Sequence, residues 1–325
     1  MMRGFRLLLL AFYALFLSAS HGIAQWTTVA PNLLETIPSA SGGFGSIANK
    51  SGVVWIGRTA IWKSLDTGVT WTKVHDSFGG TITEIKFIDN TTGVVATTAG
   101  VFLTKDQGQT WTLILNHSAY GATFAGSGQN IACACDGSGF YYSKDQGATW
   151  NSQNPLTHLL SILGKSDGSA YGFGGSDATT FGALFMTKDL GVTWQGSSQT
   201  DYDSFSLAED SCSGIIYRMN EEGHVKTNNA AQFYSTVDNG TTWVSKTSHP
   251  GTYYCASIAM SPHAIFCQTL NNGIDRSTDN GNTWVNINGP SNNIDTRLIS
   301  AINDNVIVAA DANGNILRTV NCGGL

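Results

Sequence analysis

Charge is scarce in this sequence. Only 12% of its 325 residues are charged, whereas a disordered chain needs high charge and few aromatics. The 17 Lys and Arg form no run that would track phosphates, and the net charge is -6, so no nucleic-acid partner is expected. Long apolar runs are missing too, apart from one near the start. Residues 7–17 are apolar but too short to span a bilayer comfortably, so no membrane span is expected in the mature chain. Arg3 and Arg6 precede that stretch and Gly22-Ile23-Ala24 follows it, the layout of an export signal cleaved after Ala24. No Cys adjoins the cleavage site to carry a lipid. The expected organisation is a signal peptide over 1–24 and one soluble, secreted or periplasmic domain over 25–325.

What is present is turn and core material: 37 Gly, with 9 Trp, 10 Tyr and 15 Phe. Six segments share the pattern Ser/Thr-x-Asp-x-Gly-x-Thr-Trp: 64–71, 104–111, 143–150, 187–194, 236–243 and 277–284. The chemistry is that of a tight turn between strands. Asp and Ser/Thr side chains bond nearby backbone, Gly supplies a positive φ, and Thr-Trp opens the next strand. The pattern is identified as the Asp-box, or BNR repeat, and the chain resembles the β-propellers built from it.

Spacing counts the blades. Trp26, Trp71, Trp111, Trp150, Trp194, Trp243 and Trp284 lie 39 to 49 residues apart. A degenerate seventh box, Thr319-Val320-Asn321-Cys322-Gly323, stops before its Trp, while Trp26-Thr27-Thr28-Val29 has no box before it. The expected fold is all-β: a seven-bladed propeller of four-stranded antiparallel blades, with the N-terminal strand closing the last blade and removing a sheet edge. In blade 2 the expected strands are 82–88, 93–97, 101–105 and one starting at Thr110. An insertion around 220–230 lengthens blade 5.

The box residues Asp66, Asp106, Asp145, Asp189, Asp238 and Asp279 read as structural, each serving its own turn. All six Cys lie in the mature part, where disulfides can persist. Cys255 and Cys267 flank the Ser261 turn and are the expected disulfide. Cys133 and Cys135 stand too close on one strand to bridge each other. Cys212 and Cys322 have no evident partner.

Along the innermost strands Ser46, Thr123, Ser161, Ser206, Ser257 and Ser300 align as one column of small hydroxyls near the axis. Glu84 interrupts it, with Lys86 two residues on and on the same side of the strand. The two either pair with each other or meet a ligand.

The loops joining strand D to strand A, and B to C, emerge opposite the boxes. They hold His75, His117, His158 and His249, with His224 in the blade 5 insertion. No two have a metal-ligand spacing such as i, i+2 on a strand, so no metal or cofactor is assigned. Tyr202, Asp203, Glu221, Tyr253 and Arg297 share this face. Aromatic and polar side chains together suit recognition of a glycan or a protein.

The resemblance admits enzymes as well as binders. Asp-box sialidases use three arginines, a Tyr–Glu pair and an Asp acid, with an Arg-Ile-Pro signature before the first box. Here the only Arg before that box in the mature part is Arg58, and Arg276 and Arg318 adjoin boxes on the other face. Xyloglucan hydrolases with similar boxes place a catalytic Asp after Arg-Thr in blade 1; here Arg58-Thr59 precedes Ala60. Photosystem II assembly factors are propellers of this class that bind a client without chemistry. The expectation is a monomeric recognition or scaffold propeller with no assigned catalytic residue. A glycoside hydrolase or polysaccharide lyase using loop-face carboxylates is the alternative.

Overall fold

The computed structural model describes residues 24–34, 45–126, 128–135, 139–153, 158–165, 167–175, 183–189, 192–196, 204–210, 213–220, 232–246, 255–269, 273–287, 294–311 and 313–322. The expected signal segment up to residue 23 lies outside them. Ala24 is described, and is buried in the same cluster as Phe266, Ile299 and Cys322.

The chain folds as seven four-stranded antiparallel sheets. Blade 1 is β2 (Ser46–Lys50), β3 (Val53–Gly57), β4 (Ile61–Ser64) and β5 (Thr72–His75). Blade 2 is β6 (Ile82–Phe87), β7 (Gly93–Thr97), β8 (Gly100–Thr104) and β9 (Thr112–Leu115), within a residue or two of the sequence-based bounds. Blade 3 is β10 (Ala119–Ala125), β11 (Asn130–Cys135), β12 (Gly139–Ser143) and β13 (Asn151–Gln153). Blade 4 is β14 (His158–Gly164), β15 (Ala170–Gly175), β16 (Ala183–Thr187) and β17 (Gln195–Gly196). Blade 5 is β18 (Ser204–Glu209), β19 (Ile216–Asn220), β20 (Gln232–Thr236) and β21 (Val244–Ser245). Blade 6 is β22 (Cys255–Ser261), β23 (Ala264–Thr269), β24 (Gly273–Ser277) and β25 (Val285–Asn286). Blade 7 takes β26 (Ile294–Ala301), β27 (Ile307–Asp311) and β28 (Ile316–Thr319), and its outer strand is β1 (Trp26–Ala30). Trp26 pairs with Thr319, so the two ends of the chain close the ring as expected. The inner strands β2, β6, β10, β14, β18, β22 and β26 each touch the next, and β26 returns to β2.

The core lies in the seams between blades rather than within any one sheet. Between blades 1 and 2, Trp55, Ile82, Ile85 and Val95 are fully buried, and Trp55 stacks on Phe87 with ring centroids 3.7 Å apart. Removing one such aromatic from water stabilises the fold by ~1.5–3 kcal/mol. Alternation along each middle strand gives one set of side chains to the preceding seam and the other to the following one. That explains why β7 and β11 are buried almost throughout.

Register corrects the hydroxyl column. Ser46, Glu84, Ser161, Ser206 and Ser257 face Gly57, Ala96, Phe173, Met219 and Gln268, which are equivalent positions. In blade 3 that position belongs to Gly121, opposite Ala134. Thr123 and Ser300 sit one step further along, opposite Ala132 and Val308, in the row that holds Lys86 opposite Val94. Bulges near the start of most inner strands shift the pairing, and residues i and i+2 face the same way, so spacing alone could not separate the two rows.

Cys133, Cys135 and Cys322 are buried free thiols, and Cys267 is disulfide-bonded. The side chain of Cys255 lies outside the described ones; its backbone pairs with Thr269, while Cys267 pairs with Ile258. Cys212 lies outside the described residues.

Candidate ligand-binding face

The two ends of the strands differ in what their side chains are already doing. At the box end the first repeat shows the local logic. Ser64 Oγ donates to Asp66 Oδ1 (2.7 Å) and accepts from Gly68 N (2.8 Å). Asp66 Oδ1 also accepts from Thr70 N (2.8 Å), and Oδ2 from the Thr70 hydroxyl (2.6 Å). Thr67 and Gly68 follow at φ of 59° and 90°, and a Cβ on Gly68 would sit 2.5 Å from Val308, so only glycine fits. Trp71 folds back to donate its indole N–H to Gly68 O (3.1 Å).

Asp106, Asp145, Asp189, Asp238 and Asp279 repeat the carboxylate contacts within their own boxes. The Thr149 hydroxyl, then the Thr149 N–H and the Ser143 hydroxyl, bring the Asp145 carboxyl down to about 2. Thr242 and Thr236 do the same for Asp238, also to about 2. These carboxylates stay ionised at neutral pH with their oxygens engaged, which is the opposite of a general acid.

The boxes also join blades. Trp55 Nε1 donates to Gln107 O in the second box (3.0 Å), Tyr217 to Asn280 Oδ1 in the sixth (3.3 Å), and Arg318 Nε to Thr67 O in the first (2.9 Å). Lys165, buried at the fourth seam, donates to Asn239 Oδ1 (2.9 Å) and lies 3.5 Å from Glu209. Sequence reading missed Lys165, and also Arg218, which is buried with its guanidinium 4.7 Å from the ring centres of both Tyr234 and Trp243. The available signal was a cation on a strand (Arg218) or just after one (Lys165).

Near the axis, Glu84 does the work of a hydroxyl at longer reach. Ser46 Oγ accepts the N–H of Ile85 in the next blade (2.9 Å), and Glu84 Oε2 accepts the N–H of Ala122 in the next (3.1 Å). One row down, Thr123 accepts the N–H of Gly164 (3.3 Å). Glu84 Oε1 lies 3.2 Å from Lys86 Nζ, so the carboxylate is both ion-paired and bonded across the seam.

On the loop face, His75 and His117 are the sequence-selected residues whose side chains are described. His75 ends β5 and its ring lies 4.2 Å from that of Phe78, a buried anchor that meets Phe102 and Trp111. His117, between β9 and β10, lies 3.4 Å from the Tyr141 hydroxyl. His158 opens β14 and Arg297 lies on β26, their side chains outside the described ones. Tyr202, Asp203, Glu221, His224, His249 and Tyr253 lie outside the described residues. Among the described residues, no three His, Cys, Asp or Glu side chains converge as a metal site.

The BNR/Asp-box repeat family matches residues 141–152, the segment containing the third box. With that box set in a closed ring of seven sheets, the chain is a seven-bladed β-propeller that carries the Asp-box repeat. It is similar to the photosystem II assembly protein Ycf48 of Thermosynechococcus vestitus, 27% identical over 257 residues that cover 72% of this chain and 70% of that protein. Among solved structures, YCF48 bound to a D1 peptide superposes with a TM-score of 0.63 at 16% identity, over 92% of this propeller and 96% of that chain. A GH74 enzyme of Niastella koreensis gives a TM-score of 0.61 at 17% identity, over 83% of this propeller and 50% of that chain. At such identities the solved structures speak for the fold.

Proposed function

We propose that this propeller is an exported, non-catalytic scaffold that holds a protein segment on the face formed by its D–A and B–C loops. The observation that carries the reading is the division between the two ends. Box carboxylates are spent on their own turns, and Glu84 is spent on Lys86 and Ala122. The loop end keeps aromatic and imidazole groups such as His117 and Tyr141 at the surface, the type of residue that recognises partners. Likeness to an assembly protein supports a client rather than a substrate.

The test is site-specific photo-crosslinking in the native host. A crosslinker at His75 or His117 is expected to trap one defined protein partner, while one at Leu65 or Val237, on the box end, traps none. Adducts from the box end alone would overturn the face assignment. Binding confined to a polysaccharide would replace the client with a glycan. Polysaccharide turnover that vanishes in Glu84→Gln would replace the scaffold with a glycoside hydrolase.

A further inference from the structure

We propose that Lys165 and Asn239 are the reactants of an intramolecular amide cross-link that ties blade 4 to blade 5, with Glu209 as its acid–base group. Lys165 follows β14 in blade 4, Glu209 ends β18 in blade 5, and Asn239 lies in the box of blade 5. Lys165 Nζ donates to Asn239 Oδ1 at 2.9 Å, and lies 3.5 Å from Glu209 Oε1 and 3.5 Å from Gly214 O. The amine is thus held against the side-chain amide it would attack, with a carboxyl group beside it. Just 8% of the Lys165 side chain and 18% of the Glu209 side chain are exposed. Tyr171, Leu184, Met186 and Ile216 are buried together in the same seam and keep bulk water from it.

An ion pair held out of water is costly, so passing a proton from the ammonium to Glu209 is easier here than in solvent. Burial raises the Glu209 carboxyl above its ordinary value; Lys165 opposes this, and the Asp167 and Asp210 carboxylates add to it. The neutral amine then has a lone pair for Asn239 Cγ, while the Glu209 acid donates to the carbonyl oxygen as negative charge develops there. A bond forms between Lys165 Nζ and Asn239 Cγ, and the bond from Cγ to Nδ2 breaks. The nitrogen leaves as ammonium, carrying the protons that the lysine gives up. One ammonium and one amide become another ammonium and another amide, so no oxidant or cofactor is consumed. The competing attack by Gly240 N on the same carbon is held back, because Gly240 N–H is bonded to Thr236 Oγ1 at 2.8 Å. A natural control lies in blade 1: Lys63 Nζ donates to Gln107 Oε1 at 3.2 Å across its seam, with no carboxylate at ion-pair distance among the described residues.

The test is a peptide map of the full mature chain, folded, then reduced, denatured and digested with trypsin. The expected product is a branched peptide joining residue 165 to residue 239, lighter than its two arms by one ammonia and uncut at Lys165. Total mass alone does not decide, because an N-terminal Gln25 also loses ammonia on cyclising. Glu209→Gln keeps the size of the side chain and removes the acid, so linkage is expected to slow by about a hundredfold or more. Lys165→Arg is expected to abolish it. Separate, unmodified 165 and 239 peptides from the wild-type chain would overturn the proposal. So would a Glu209→Gln chain that links at the wild-type rate, an equal link between Lys63 and Gln107, or an Asn239 found only as aspartate. The wild-type map stands even if a variant folds poorly.

Discussion

Trp55 on blade 1 donates its indole N–H to the backbone carbonyl of Gln107 in the box of blade 2. The residue that the box holds in the left-handed region is therefore also the point at which the preceding blade attaches. Trp55→Phe keeps most of the packing and removes the donor, with an expected loss of ~1–2 kcal/mol. Trp55→Ala adds a cavity, and ~3–5 kcal/mol is expected. Denaturant midpoints of the two variants check the ordering.

Gly121 and Glu84 form a size-matched pair. A Cβ on Gly121 would lie 2.5 Å from Glu84 Oε2, so Gly121→Ala is expected to displace the carboxylate and cost ~1–3 kcal/mol. Adding Glu84→Ser, the residue other blades use in this row, should return most of that loss. A double-mutant cycle with additive effects would contradict the pairing. Glu84→Gln, which keeps an acceptor for Ala122, should cost less than ~1 kcal/mol.

Acid should open the boxes late. Hydrogen bonds hold Asp145 and Asp238 at about 2, below the ordinary 3.8, so their contribution is complete above pH 4 and drains as pH falls toward 2. The melting temperature is expected to drop across that window. Asp238→Asn should melt lower at pH 7 and show a smaller further drop in acid.

Deleting residues 26–30 would expose the outer edge of β28. The expected outcome is a lower melting temperature together with oligomers on size-exclusion chromatography, since a free strand edge pairs with other chains.

The thiols give a separate check on topology. Burial raises Cys135 to about 12 and Cys133 well above the ordinary thiol value. Alkylation of the native protein should leave Cys133, Cys135 and Cys322 unlabelled. Unfolding without reductant should label these three, and Cys267 should react only after reduction; peptide mapping distinguishes them.

Much of this molecule is legible in its local sequence because the box is a local device. Every bond from Ser64 and Asp66 in the first turn falls within six residues, so the turn follows from residue identity wherever the motif occurs. Counting boxes and noting the unmatched Trp26 was then enough to expect seven blades and the closure of β1 on β28. The loop-face candidates were less legible. His75, His117 and Glu84 could be assigned to a face or a strand from spacing, but His117 meets Tyr141 and Glu84 meets Ala122, residues 24 and 38 positions away.

The sequence by itself determined the repeat, the turn chemistry and the order of strands, because those depend on contacts within a few residues and on the twofold alternation of a strand. Only the tertiary structure decided what crosses a seam. It placed Gly121, not Thr123, beside Glu84; it tied Asp304 to His263; and it buried Lys165 and Arg218. The partners of Glu84, Asp304 and Lys165 are about one repeat apart or more, and a single bulge near the start of an inner strand changes which of two like-facing residues meets them.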